Sequence, residues 1–130
     1  MRYKHCVHII LSKTSGVPLY EQIVDQVRSA IWSGDLAPGA PLPSLRQLAR
    51  DLEVSLITTT RAYNDLAADG LIANQQGRGS FVLPQDPART RARLTREIDE
   101  GAEALVSKAR LAGLDAADLH ERIDSTWNAH

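Results

Sequence analysis

Two short amphipathic segments separated by a three-residue break constrain this chain more than any other feature. In the first, Leu45, Leu48, Ala49 and Leu52 recur at helical spacing behind Ser44. The serine hydroxyl can cap the free N–H groups of a helix start, and Gln47 three residues on completes the pattern of a capping box. In the second, Thr59, Ala62, Tyr63 and Leu66 stand at i, i+3, i+4 and i+7 behind a second capping residue, Ser55, and Gly70 supplies the stop. Glu53 and Val54 are all that remains for the turn. Helices so short and so close cannot lie in line; each must turn its stripe toward a shared core, which is a helix-turn-helix.

The spacing then changes from helical to alternating. Leu71 and Ile72 open one strand, Phe81, Val82 and Leu83 close another, and Gly77-Arg78-Gly79 lies between them, so the segment reads as a β-hairpin, or wing. Ahead of the pair, Leu19, Ile23, Val27, Ala30 and Ile31 form the stripe of a further helix from Pro18 to Ser33, stopped by Gly34. The loop DLAPGAPLP, with its three prolines, reads as a stiff connector that holds this helix against the helix-turn-helix. The second helix of such a unit inserts its N-terminal residues into the DNA major groove. Ile57, Thr60, Arg61 and Asn64 occupy its outward face. Arg78, between two glycines that let the backbone approach closely, is the wing's candidate for a phosphate or a narrow minor groove.

Taken together, PLYEQI, LPSLRQLA, VSLITTTRAY, DGLI and GRGSFV resemble the winged helix-turn-helix of the GntR family of bacterial regulators, and the RAY triplet and the short remainder are most similar to its YtrA-like subgroup. The resemblance implies DNA contact by Arg46, Ser55, Leu56, Ile57, Thr58, Thr60, Arg61, Gln76, Gly77 and Arg78. It also implies a homodimer formed through the C-terminal helices, and target genes such as those of a transporter. The family often has arginine where this chain has Leu56 and again where it has Thr60, so the base preference of other members does not carry over. No aminotransferase or large effector domain follows the wing in this sequence.

Beyond Leu83, Pro84 and Pro87 mark a linker, followed by Arg89, Arg91, Arg93 and Arg96; this cluster suits a solvated helix start and the DNA backbone equally. Leu94, Ile98, Ala102, Leu105, Ala109 and Ala112 then predict a helix of about six turns. Gly113 ends it, and Asp115 caps another with Leu119, Ile123 and Trp127 on one face. Two such helices cannot bury both stripes alone, so Leu94, Ile98, Leu105, Leu119, Ile123 and Trp127 are expected at a two-fold seam with a second copy. A small-molecule effector, if there is one, would sit between these helices or at that seam, with Leu105 and Trp127 as walls; core packing is the preferred role for both.

The expected fold is therefore mostly α with a small β-hairpin: residues 1–17 as an N-terminal segment, 18–83 as a winged helix-turn-helix, and 84–130 as a short α-helical dimerisation region. In the first of these, VHIIL has the composition of an edge strand and equally of an irregular start. The net charge is −1 over 130 residues, and the 18–83 segment holds more acidic than basic residues. Non-specific phosphate attraction is thus weak, and a few placed arginines must carry contact. Cys6 stands alone, and His5 and His8 are two ligands without a third, so neither a disulfide nor a metal or other cofactor is expected. No apolar run approaches a membrane span and no leader pattern is present, which points to the cytoplasm. No catalytic motif appears, so the chain reads as a non-enzymatic, sequence-specific regulator. It would be a homodimeric repressor on a near-palindromic double-stranded DNA operator with half-sites about 10 bp apart. The alternative is a winged-helix adaptor that binds protein, for which the apolar pair Leu56 and Ile57 would be the contact; the same pair could instead meet thymine methyls.

Overall fold

The computed structural model describes residues 8–130, so Met1–Val7, including Cys6 and His5, lie outside the described residues. Two compact units divide the chain, the first ending at Asp86 and the second spanning Pro87–His130. Among the described residues there are five helices and one antiparallel hairpin.

In the first unit, α1 (Leu19–Ser33) buries Ile23, Val24, Val27, Ala30 and Ile31 and ends at Gly34, whose φ of 89° belongs to the left-handed region that glycine adopts without a Cβ penalty. α2 (Leu45–Leu52) starts at Ser44, which accepts the Gln47 N–H at 3.1 Å. Only half of the anticipated capping box forms. The Gln47 side chain does not reach back to the Ser44 N–H: its amide donates forward to the Asp51 carboxylate at 2.8 Å, a charge-assisted bond, and its Oε1 accepts from Arg50 at 3.4 Å. α3 (Leu56–Ala68) buries Thr59, Ala62, Tyr63 and Leu66, the four residues of its predicted stripe. Strands β1 (Ile72–Gln75) and β2 (Gly79–Val82) pair in register from Ile72 opposite Val82 to Gln75 opposite Gly79. The core gathers the inner faces of all three helices with Leu36, Leu71, Ile72 and Val82.

Two features go beyond the sequence reading. The proline-rich connector lies along the outer edge of β2: Leu42 N–H donates to the Ser80 carbonyl at 2.9 Å, Val82 N–H to Ala40 at 3.0 Å, and Gly39 N–H to Val82 at 2.7 Å. It therefore does more than brace α1; it forms a bridge at Pro41 and Phe81 that covers the edge of the hairpin's base. Residues 8–12 form no strand. Instead Gln26 holds Ile10 by both backbone groups, accepting its N–H at 2.9 Å and donating to its carbonyl at 2.7 Å. One turn earlier Gln22 does the same for Ser12, both at 2.8 Å, and also donates to the Val17 carbonyl. Two glutamines at i and i+4 thus offer an extended segment the pairing that a neighbouring strand would have given.

In the second unit, α4 (Pro87–Leu111) begins on a proline, a residue preorganised for the first helical position, and it already contains the whole arginine cluster. Arg93 Nε pairs with Glu97 at 3.4 Å. Gly113, at φ 77°, turns the chain into α5 (Ala116–Ala129). Here a complete capping box forms: Asp118 N–H donates to Asp115 Oδ1 at 2.9 Å and Asp115 N–H to Asp118 Oδ2 at 3.1 Å. The hydrogen bond from the Asp118 backbone holds the Asp115 carboxyl below its ordinary value. Ala109 is the one buried residue of this unit, whereas Ile98 is 67% and Trp127 79% exposed. No helix is long and apolar enough to cross a membrane among the described residues.

Candidate nucleic-acid interface

The three-residue break between α2 and α3 requires a reversal that Glu53 provides at φ 56°, ψ 46°, the only positive φ at a non-glycine among the described residues. A side chain there costs roughly 1–2 kcal/mol, and the turn recovers part of it by closing Val54 N–H on the Ala49 carbonyl at 3.0 Å. Ser55 then caps α3, accepting the Thr58 N–H at 3.1 Å, with the Ser55 and Thr58 hydroxyls bonded to each other at 2.9 Å. The helix start projects Leu56 and Ile57, 39% and 80% exposed, and Thr60 follows half-buried.

Buried polar groups fix the orientation of this helix. Tyr63, 2% exposed, donates its hydroxyl to the Pro43 carbonyl at 2.7 Å, and Thr59 donates to the Leu45 carbonyl at 3.1 Å, so α3 is pinned to the entry of α2 from two successive turns. The wing is coupled to the same helix. Asn74 donates to the Tyr63 carbonyl at 3.4 Å and accepts from the Ser80 hydroxyl at 2.6 Å, which ties β1 to α3 and to β2 at once. At the hairpin tip Gln76, Gly77 and Arg78 are exposed, Gly77 and Gly79 have φ of 82° and 92°, and Arg78 N–H closes the turn on Gln75 at 3.0 Å. A residue with a Cβ would be strained at either glycine.

Of the sequence-derived contact residues, Ser55, Leu56, Ile57 and Thr58 thus form one helix start, Gln76, Gly77 and Arg78 one hairpin tip, and Arg46 stands exposed in the first turn of α2. Arg61, expected on the outward face of α3, is exposed there, and its guanidinium lies 3.7 Å above the Tyr20 ring, on α1. Stacking of this kind engages one face of the cation and not its in-plane N–H donors. Tyr20 was missed as a contributor, although PLYEQI placed an aromatic residue at the start of the helix that packs on α3. Gln22 and Gln26 were missed too; polar residues one turn apart beside the buried stripe were the available signal. No group of three or more metal-binding side chains occurs among the described residues.

Comparison with known proteins gives a consistent result. Residues 19–82 match the family described as bacterial regulatory proteins, gntR family. The chain is 33% identical over 115 residues to the transcriptional repressor YtrA of Bacillus subtilis, covering 88% of each protein. Its fold is similar to that of YtrA from Sulfolobus acidocaldarius, described as a GntR-family transcription factor, at 36% identity and a TM-score of 0.57, over 70% of this chain and 97% of that one. It is also similar to the DNA-binding domain of AraR in complex with operator ORX1, at 28% identity and a TM-score of 0.52, over 60% of this chain and 98% of that one.

Proposed function

This chain belongs to the GntR family of bacterial regulatory proteins and is a DNA-binding transcription regulator, and from that premise we propose that it works as a homodimeric, non-enzymatic repressor in the cytoplasm. The α3 helices of two copies enter successive major grooves of a near-palindromic operator. Leu56, Ile57 and Thr60 face base edges, Arg46 and the free edge of Arg61 meet phosphates or bases, and Arg78 anchors the wing. The observation that carries this reading is the construction of α3, a helix held rigidly from its buried side by Thr59 and Tyr63 while its start remains exposed. Preorganisation of this kind lowers the ordering cost of binding.

The second unit supports dimerisation. Its helices enclose an apolar groove of about 790 Å³ lined by Leu105, Leu114, Leu119, Ile123 and Trp127, with Leu94 and Ile98 continuing the stripe on α4. Water is a poor occupant of such a surface, and the same face of a second copy is self-complementary under two-fold symmetry. Binding of the dimer over a promoter then excludes polymerase; genes such as those of a transporter are the proposed targets.

Selection of duplexes from a random pool by the purified chain, at a fixed salt concentration, tests the reading. Enrichment of a two-fold symmetric sequence is expected. Trp127→Glu should sediment as a monomer and bind single half-sites only weakly, whereas an intact dimer would contradict the seam.

A further inference from the structure

The chemistry of the α3 start narrows what it can read. From Ser55 to Thr60 there is no charged or amide side chain. The two hydroxyls at the tip, Ser55 and Thr58, are bonded to each other, and Ser55 also accepts the Thr58 N–H. The first charged group, Arg61, is stacked on Tyr20. Bidentate readout of guanine needs an arginine or lysine, and that of adenine needs asparagine or glutamine; neither kind of residue occurs from Ser55 to Thr60, and the free edge of Arg61 lies one turn beyond Ile57. What it offers instead is a pair of branched aliphatic side chains, of which Ile57 is 80% exposed and contributes nothing to the core. Helix formation does not call for them, since isoleucine is only a middling helix former at an exposed position.

One feature of the major-groove edge is complementary to that surface, the C5-methyl group of thymine. We propose that Leu56 and Ile57 are specificity-determining residues that read thymine methyls, so that the operator half-site is built on A·T pairs with thymines facing the start of α3. The proposal rests on the chain being a DNA reader and adds the chemical class of its target. Thr60, half-buried one turn on, presents a further methyl to the same edge.

The test replaces single thymines of a selected half-site by deoxyuridine, which lacks only the methyl group. Each methyl in contact should be worth about fourfold in affinity, the value of one buried methylene. Ile57→Ser, an exposed substitution that leaves the fold intact by circular dichroism, should abolish the uracil penalty at one position and keep it at another. A half-site core made of G·C pairs alone, or selected duplexes whose affinity is indifferent to every thymine-to-uracil change, would overturn the proposal while leaving the DNA-reader reading intact. Failure to enrich any duplex even at low salt would overturn both together.

Discussion

Tyr63→Phe probes the joint on which the reading helix depends. The hydroxyl removed is that of a residue 2% exposed, donating at 2.7 Å to the carbonyl of Pro43, itself buried. Removing one partner of a buried bond costs the desolvation of the group left behind, about 1–3 kcal/mol, rather than the net worth of about 1 kcal/mol that an average bond has. No cavity opens, because the ring stays, so a loss of about 2 kcal/mol is expected, a factor of roughly 30 in the unfolding equilibrium. For a unit of this size that is about 10 °C in Tm. The assay is thermal unfolding of parent and variant at equal protein concentration, so that any dimer contributes equally. Affinity for a selected duplex, measured well below the transition, should fall modestly, since Thr59 still pins α3 while the preorganisation that the Tyr63 bond added is lost. A shift of less than one degree would refute the reasoning, because the Pro43 carbonyl would then have an equally good partner without the phenol.

Arg78→Ala should weaken binding evenly across sequences and reduce the salt slope by about one, the signature of a single lost phosphate contact; a changed base preference would show that it reads bases instead. Glu53→Gly should stabilise the first unit by about 1 kcal/mol, since φ 56° is strained for glutamate and natural for glycine, and a destabilised variant in urea unfolding would show the strain to be absent. Because the folded-state pKa of Asp115 is depressed, its contribution is full above the ordinary aspartate value of 3.8 and is lost as pH falls through the lowered one. The stability advantage of the parent over Asp115→Ala should therefore fade only below that value, and an advantage that is flat with pH would remove the carboxylate from the cap.

Much of the fold was legible because a helical stripe records which face of an element is buried. Thr59, Ala62, Tyr63 and Leu66 could be assigned inward, and Ser44, Ser55, Gly70 and Asp115 marked as ends, without any knowledge of neighbours. The identity of those neighbours is not encoded locally. Nothing at Leu42 indicates that it pairs with Ser80, a choice made by distant parts of one backbone. Gln47 could turn back to accept the Ser44 N–H or forward to Arg50 and Asp51, and it turns forward. Arg61 likewise had an outward position on its helix but a partner on another. At the interface, the apolar character of Leu56 and Ile57 was plain in the sequence, whereas the engagement of the Ser55 and Thr58 hydroxyls, which leaves that pair as the main chemistry on offer, required coordinates.

The bridge between the connector and β2 gives the wing an uneven stiffness. Its root, from Ser80 to Val82, is paired along both edges, while the tip from Gln75 to Gly79 is held along one edge by its own partner strand. Such a hairpin behaves as a cantilever, clamped at the core and compliant at the end that meets the nucleic acid. The compliance is set from the clamp. Changes in the proline-rich connector, which supplies no proposed contact residue, should therefore alter how freely Arg78 follows the DNA backbone, giving the protein a way to retune its grip without rewriting the residues that do the reading.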